Sequence, residues 1–276
     1  MEDPSAALER DLACLDEYDY FFRPDLLSGK VALITGGGSG IGFTIAEVFM
    51  RHQCSTIIVG RKFERLSKAA KKLEILTGQR CVPLKMDVRK VAVYISWYWR
   101  LTSVTMDTFC SIINFIFFRV AVIDIDTLGT FNLSKAVFNK CFKNNGGGSI
   151  INITATLHYN GCPYQCHAGC AKAAIEAMMR HLAVEWGPHG VRVNCVAPGP
   201  VADTEGFHRL GKNLNPNFAK KFPLQRLGTR REIADATVFL ASGASALMTA
   251  NTLVVDGGSW MAGFPPLTEM KAHSKL

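Results

Sequence analysis

Val31-Ala-Leu-Ile34 runs directly into Thr35-Gly-Gly-Gly-Ser-Gly-Ile-Gly42, and the reading of this stretch decides the fold. An apolar run without alternation reads as a strand buried on both faces, the pattern of a parallel sheet. The glycines demand a tight turn. Ile45, Val48 and Phe49 then follow with helical spacing. Strand, glycine turn and helix in that order let backbone amides and a helix N-terminus cradle a dinucleotide pyrophosphate. Gly36, Ser39, Gly40, Ile41 and Gly42 are therefore the candidate phosphate cradle, with Ser39 as an extra donor. A purely structural glycine turn is the alternative.

Outward from this loop, Ser55-Thr-Ile-Ile-Val59 reads as a second buried strand. A charged helix is expected over residues 62 to 76, and Cys81-Val-Pro-Leu-Lys-Met86 reads as a third strand. Alternating strands and helices predict an α/β fold, a Rossmann-type doubly wound parallel sheet in a single domain. A helix through Phe131, Val137 and Phe138 ends at the Gly146–Gly148 turn. Ser149-Ile-Ile-Asn-Ile-Thr154 follows as a strand, then a long helix over about residues 169 to 185. Val191-Arg-Val-Asn-Cys-Val-Ala197, a helix from Arg231 to Leu240, and Thr252-Leu-Val-Val255 complete the pattern. Residues 1–29 read as an arm with one short helix at most, 30–260 as the domain and 261–276 as a tail. Residues 90–123 are atypical: Tyr94, Trp97, Tyr98, Trp99 and a Phe-rich run show no clean period, so the fourth strand region reads as disrupted.

Composition agrees with a soluble globular protein: of 276 residues, 48% are hydrophobic and 20% charged. Nine cysteines without paired spacing suit a reducing interior. The net charge of +8 suits polyanionic partners such as nucleotides or coenzyme A, and equally mere solubility. No Lys/Arg block marks a nucleic-acid binder. The acidic first 29 residues are unlike a signal or transit peptide. The apolar stretch from Ile112 to Ile123 is too short to span a membrane and contains Asn114 and Arg119. Cys162, Cys166, His167 and Cys170 crowd together without a paired zinc knuckle, so no metal is expected.

The second strand ends in Gly60-Arg61, followed by Lys62 and Arg65. An acidic residue there would bind the adenosine ribose of NAD, whereas cations suit the 2′-phosphate of NADP. Arg61 and Arg65 therefore point to NADP(H); a solvated, cationic helix start is the alternative.

Thr35-Gly-x-x-x-Gly-x-Gly42, Asp87 after the third strand, and Asn194 with Pro198-Gly199 together resemble the short-chain dehydrogenase/reductase family, over about residues 28 to 260. The resemblance implies that Asp87 and Val88 contact the adenine and that Pro198, Gly199 and Thr204 flank the nicotinamide. Most members of the family carry Tyr-x-x-x-Lys, a Ser and an Asn. Here Lys172 is present, but Ala168 stands at the Tyr position, Ala155 at the Ser position and Asp126 at the Asn position. A simple carbonyl reductase needs its Tyr as proton donor. The 2,4-dienoyl-CoA reductase branch replaces these groups, and Asn152-Ile-Thr-Ala-Thr-Leu157, His167-Ala-Gly-Cys-Ala-Lys172 and His181-Leu-Ala-Val-Glu-Trp-Gly187 look close to its peroxisomal members. The resemblance implies an acyl-CoA substrate, Asp126 and Lys172 as the catalytic pair with Lys172 also holding the nicotinamide ribose of the cofactor, and pairing of subunits into a homo-oligomer. A helix N-cap is the alternative role for Asp126. Arg209 could hold a CoA phosphate or simply face water. The terminal Ser274-Lys275-Leu276 is a peroxisomal address read by an import receptor.

The sequence departs from the family at its usual fourth-strand segment, Asn-x-Ala-Gly. The nearest remnant is Ile112-Ile-Asn114, followed by Phe115-Ile-Phe-Phe118. Bulky rings there are expected to obstruct the nicotinamide side while leaving the adenosine side intact. The rival readings are a peroxisomal 2-enoyl-CoA reductase and a catalytically impaired cofactor-fold protein with a binding or assembly role.

Overall fold

Neighbouring strand residues feed two different cores. Leu33 and Ile34, Ile58 and Val59, and Ile150 and Ile151 are all buried, and in each pair one residue joins one cluster and its neighbour the other. That follows from the two-residue period of a strand covered on both faces, and it explains the unbroken apolar runs. The computed structural model describes residues 9–90, 109–113, 122–162, 165–211 and 217–263.

The strands are β1 (Val31–Thr35), β2 (Ser55–Gly60), β3 (Cys81–Lys85), β4 (Phe109–Ile113), β5 (Gly148–Ile153), β6 (Val191–Pro198) and β7 (Thr252–Val255). The helices are α1 (Gly40–Arg51), α2 (Phe63–Thr77), α3 (Gly129–Val137), α4 (Cys166–Trp186), α5 (Glu205–Gly211), α6 (Arg230–Ala241) and α7 (Ser259–Ala262). One seven-stranded parallel sheet runs β3-β2-β1-β4-β5-β6-β7. The strand order reverses between β1 and β4. In open α/β sheets, ligands bind beyond the carboxyl ends of the strands at such a switch point.

One core holds Phe43, Val48 and Phe49 of α1, Leu66 and Leu73 of α2, and Ile233 and Val238 of α6 against Ile34, Ile58 and Ile151. The other holds Leu133 and Val137 of α3 and Ile175, Met179 and Trp186 of α4 against Leu33, Val59 and Ile150. Phe138 stacks on Trp186 with ring centroids 4.4 Å apart, which ties the end of α3 to the end of α4. A wider, π-type turn over Ile123–Leu128 leads into α3.

The fourth strand is present, just ahead of Asn114. It pairs with β1 through an irregularity between Val31 and Leu33, and with β5 at Phe109↔Gly148 and Cys110↔Ser149. Phe115–Phe118, Arg119 and most of the atypical 90–123 stretch lie outside the described residues, as does the Ser274–Leu276 address.

The N-terminal arm is fastened to the domain largely through its backbone. Lys72 donates to the Leu12 carbonyl at 2.7 Å, Glu47 accepts from the Leu15 amide at 3.1 Å, and Arg51 donates to the Leu15 carbonyl at 3.2 Å. His52, fully buried, closes the arm from below. The Arg23 carbonyl can only accept, so His52 Nδ1 donates to it at 2.8 Å; the neutral ring's Nε2 then accepts from the Tyr18 hydroxyl at 2.8 Å. Burial lowers the His52 pKa. The unfolded chain binds a proton at the ordinary value of about 6.5 that the folded chain refuses. This contribution is complete above that pH and falls as the pH drops toward the folded value. Tyr18→Phe keeps the ring but strands a buried acceptor, and is expected to cost about 1–3 kcal/mol in denaturant unfolding. An unchanged midpoint at neutral pH would show that the arm is held without this relay.

Candidate active site

The glycine loop is shaped by close approach as much as by turning. Gly36 and Gly40 have φ of 68° and 54°, a region that favours glycine. A Cβ on Gly42 would lie 2.6 Å from the Gly36 carbonyl oxygen, and one on Gly37 2.6 Å from Ile58 Cγ2. Gly37, which sequence reasoning passed over, is thus the residue that lets the loop sit down on β2; the unbroken Gly-Gly-Gly run was its signal. Ser39 precedes α1 without a side-chain cap, and the first turn of α1 holds no acidic residue. Ile41 is buried behind the loop. The amides and positive end of α1 are therefore available to an anion. That fits a dinucleotide pyrophosphate, and a solvent-open cleft adjoins it.

The cleft is lined by Thr35 and Gly36 from β1, Val59 and Gly60 from β2, then Arg61, Met86, Asp87, Val88, Ile125 and Asp126. The ends of β1, β2 and β3 thus meet the turn before α3 across the switch point. Arg61 is exposed at the rim. Arg65 turns elsewhere: its Nε donates to the Gly38 carbonyl at 3.1 Å and its Nη2 to Asp11 of the arm. Asp87 forms a salt bridge with Arg89 at 2.5 Å, and chiefly that hydrogen bond lowers its pKa to about 2. Val88 packs on Gly129, where a Cβ would lie 2.7 Å from Val88 Cγ2.

At the inner end of the cleft, Lys172 Nζ donates to Asp126 Oδ2 at 2.8 Å, and both residues are buried, 5% and 3% exposed. Lys172 Nζ also approaches the Ile153 carbonyl at 3.4 Å. Asp126 does not act as a side-chain cap: the residue before α3 is Leu128. The π-type turn and α4 bring the pair together from positions 46 residues apart in sequence, with Thr127 Oγ1 donating to the Ala171 carbonyl at 3.4 Å. Ala168 is buried one helical turn before Lys172.

The second half of the chain supplies the far wall. Gly199 follows β6 where a Cβ would lie 2.6 Å from Asp256 Cβ, so Pro198-Gly199 packs on the Asp256 turn. Asn194, fully buried, clamps that region by donating to the Met248 carbonyl and accepting from the Asn251 amide. Thr204 spends its hydroxyl locally: it donates to the Val201 carbonyl and accepts from the Phe207 amide, capping α5. Its backbone carbonyl is used as well, accepting from the His208 amide at 2.9 Å. Arg209 lies in α5, and its side chain is outside the described ones.

Sequence reasoning missed Glu176, one turn beyond Lys172. Its Oε1 accepts from Thr154 and from Tyr159, each at 3.0 Å, and pairs with His158 at 3.5 Å. Burial works to raise the Glu176 pKa, but these donors outweigh it and hold it low. They anchor the segment after β5 to α4. The i, i+4 spacing from Lys172 was the available signal. Among the described residues no group of three or more His, Cys, Asp or Glu could hold a metal ion, and no helix is long and apolar enough to cross a membrane.

Two family models match: "short chain dehydrogenase" over residues 30–98 and "Enoyl-(Acyl carrier protein) reductase" over residues 119–259. The chain is 50% identical to a Danio rerio protein named peroxisomal 2,4-dienoyl-CoA reductase [(3E)-enoyl-CoA-producing], covering 90% of this chain and 87% of that one. It is 40% identical to a Saccharomyces cerevisiae protein described in the same terms, covering 88% of each. Among solved structures, a citronellol catabolism dehydrogenase from Pseudomonas aeruginosa matches with a TM-score of 0.75 at 32% identity, over 88% of this chain and all of that one. A 3-oxoacyl-[acyl-carrier protein] reductase from Brucella melitensis matches at 0.77 and 26%, over 89% of this chain and 98% of that one. The models take in the glycine loop and every strand except β4, and the first relative matches at half identity across nine-tenths of the chain; the protein is an oxidoreductase of the short-chain dehydrogenase/reductase family, whose members use a nicotinamide dinucleotide.

Proposed function

We propose that this chain reduces 2,4-dienoyl-CoA to 3-enoyl-CoA with NADPH, in the peroxisome. The observation that carries the reading is the buried Asp126–Lys172 pair beside a cleft where Ala168 replaces the family's acidic hydroxyl. Relatives named for this reaction, and the terminal Ser274-Lys275-Leu276, support it.

The bound dinucleotide supplies a hydride to the far end of the diene. What remains is to stabilise the resulting dienolate and deliver one proton to the α-carbon. Lys172 offers the positive charge that favours enolate character at the thioester oxygen. Asp126 keeps the ammonium oriented through its 2.8 Å contact. Together they can hold a water as proton donor, with Lys172 Nζ resupplying its proton. An isolated ketone would yield an alkoxide needing a Tyr-like acid, which Ala168 at the family's Tyr position does not offer. Gly36, Ser39, Gly40, Ile41 and Gly42 hold the pyrophosphate, Asp87 and Val88 border the adenine, and Pro198, Gly199 and Thr204 border the nicotinamide. Arg61 pairs with the 2′-phosphate, and Arg209 receives the CoA.

A second reading, a cofactor-fold protein with weak turnover, draws on the sequence's departure from the family's Asn-x-Ala-Gly segment after Ile112-Ile-Asn114. Purified chain with NADPH and a dienoyl-CoA, followed at the NADPH absorbance, decides between them. Binding of the adenosine 2′-phosphate fragment without turnover supports the second; equal or faster use of 2-enoyl-CoA would overturn the substrate assignment.

Asp126→Asn retains a polar partner for Lys172 but removes the carboxylate, and kcat on dienoyl-CoA is expected to fall by about 10²–10⁴ with little change in NADPH binding. An unchanged kcat would remove Asp126 from the mechanism. Arg61→Asp is expected to weaken NADPH at least about tenfold more than NADH; equal losses would sink the NADP assignment. Deleting Ser274–Leu276 should leave the chain in the cytosol when it is expressed without an intact partner subunit, as judged by fractionation.

A further inference from the structure

Through Arg65 the N-terminal arm reaches the glycine loop that borders the cofactor cleft. The Arg65 guanidinium sits between the Gly38 carbonyl, 3.1 Å from Nε, and the Asp11 carboxylate. Both charged side chains are largely covered, 24% and 11% exposed. Leu66 packs beneath both Gly38 and Gly60, within 3.1 and 3.5 Å of where a Cβ would stand on each. Arg65 therefore occupies the corner where the glycine loop meets the end of β2, beside the place a dinucleotide fold gives to the 2′ position of the adenosine ribose.

Asp11 cannot easily drift from this corner. The carbonyls on either side of it are held: Arg10 by Arg230 at 3.5 Å and Leu12 by Lys72 at 2.7 Å. The arm thus delivers a carboxylate to a fixed point on one of the two guanidiniums available to a 2′-phosphate. A guanidinium already paired with an anion gains little from a second, because the two anions repel. Arg61, exposed at the cleft rim, has a carboxylate near it too, but Asp87 is already paired with Arg89.

We infer that Asp11 is a cofactor-specificity residue: by pairing with Arg65 it takes the place of a 2′-phosphate and narrows the chain's preference for NADP(H) over NAD(H). This rests on the dinucleotide site above but not on which cofactor the chain prefers. Asp11→Asn keeps the shape and frees the Arg65 charge.

The test is calorimetric titration of the full chain with 2′,5′-ADP and with 5′-AMP, which differ by the 2′-phosphate. In Asp11→Asn the ratio of the two affinities should rise about tenfold in favour of 2′,5′-ADP, the scale of one charge-assisted hydrogen bond. Asp11→Ser, smaller and neutral, should move it the same way. Adding Arg65→Gln to either variant should abolish the gain. An unchanged ratio in both Asp11 variants would overturn the inference, and so would a gain that survives Arg65→Gln. Arg61→Asp in the native chain separates the two claims. If it leaves the ratio untouched the NADP reading fails, whereas the gain in Asp11→Asn still reports on Asp11.

Discussion

A lysine buried to 5% exposure needs a counter-ion, and the protein arranges its centre around that need. Asp126 meets Lys172 at 2.8 Å because the π-type turn at Ile123–Leu128 packs on α4, with Thr127 bonded to the Ala171 carbonyl, while α3 and α4 lean on the same side of the sheet. Removing one member of a buried pair typically costs about 3–5 kcal/mol, because the other charge is left behind. The pair is therefore a structural tie. It stands at the end of the cleft where α1 aims its uncapped N-terminus.

The cleft exists because the strand order reverses between β1 and β4. Helices on both faces then diverge, and the ends of β1, β2 and β3 are left uncovered above the crevice. The glycines permit the approach: Gly42 against the Gly36 carbonyl, Gly37 against Ile58, Gly129 against Val88. Each contact replaces a side chain with backbone, which is what brings the helix N-terminus to the sheet. On the opposite wall, Asn194 and the Asp256 turn hold β6 and β7 in register with the segment that follows them.

The arm belongs to this architecture. Its acidic composition reads as an appendage, yet it is gripped by Lys72, Arg51 and Arg230, with Arg231 over the Tyr18 ring at 4.3 Å. Cations that count toward the net charge of +8 are spent on arm carbonyls and aromatic faces. The arm in turn lends Asp11 to Arg65, so a segment outside the sheet bears on the electrostatics of the cofactor corner.

Local patterns determined much of this protein. The buried strands, the glycine turn and the strand–helix alternation are written in runs of a few residues, and the replacement of Tyr and Ser by Ala168 and Ala155 is visible at fixed positions in a motif. Asp126 and Lys172 were legible as candidates for the same reason. Their contact was not, since a 2.8 Å ion pair between distant residues depends on how two helical segments pack. The same limit explains Arg65, which reads as a phosphate ligand beside Arg61 but meets Asp11 54 residues away. It explains Thr204, whose hydroxyl bonds within its own turn, and Glu176, whose donors Thr154 and Tyr159 come from the segment after β5. Sequence periodicity reports which face of an element is apolar; it does not report which polar group on a distant element arrives to satisfy a charge. That is decided by packing in three dimensions, because a hydrogen bond or ion pair forms only within about 3–4 Å.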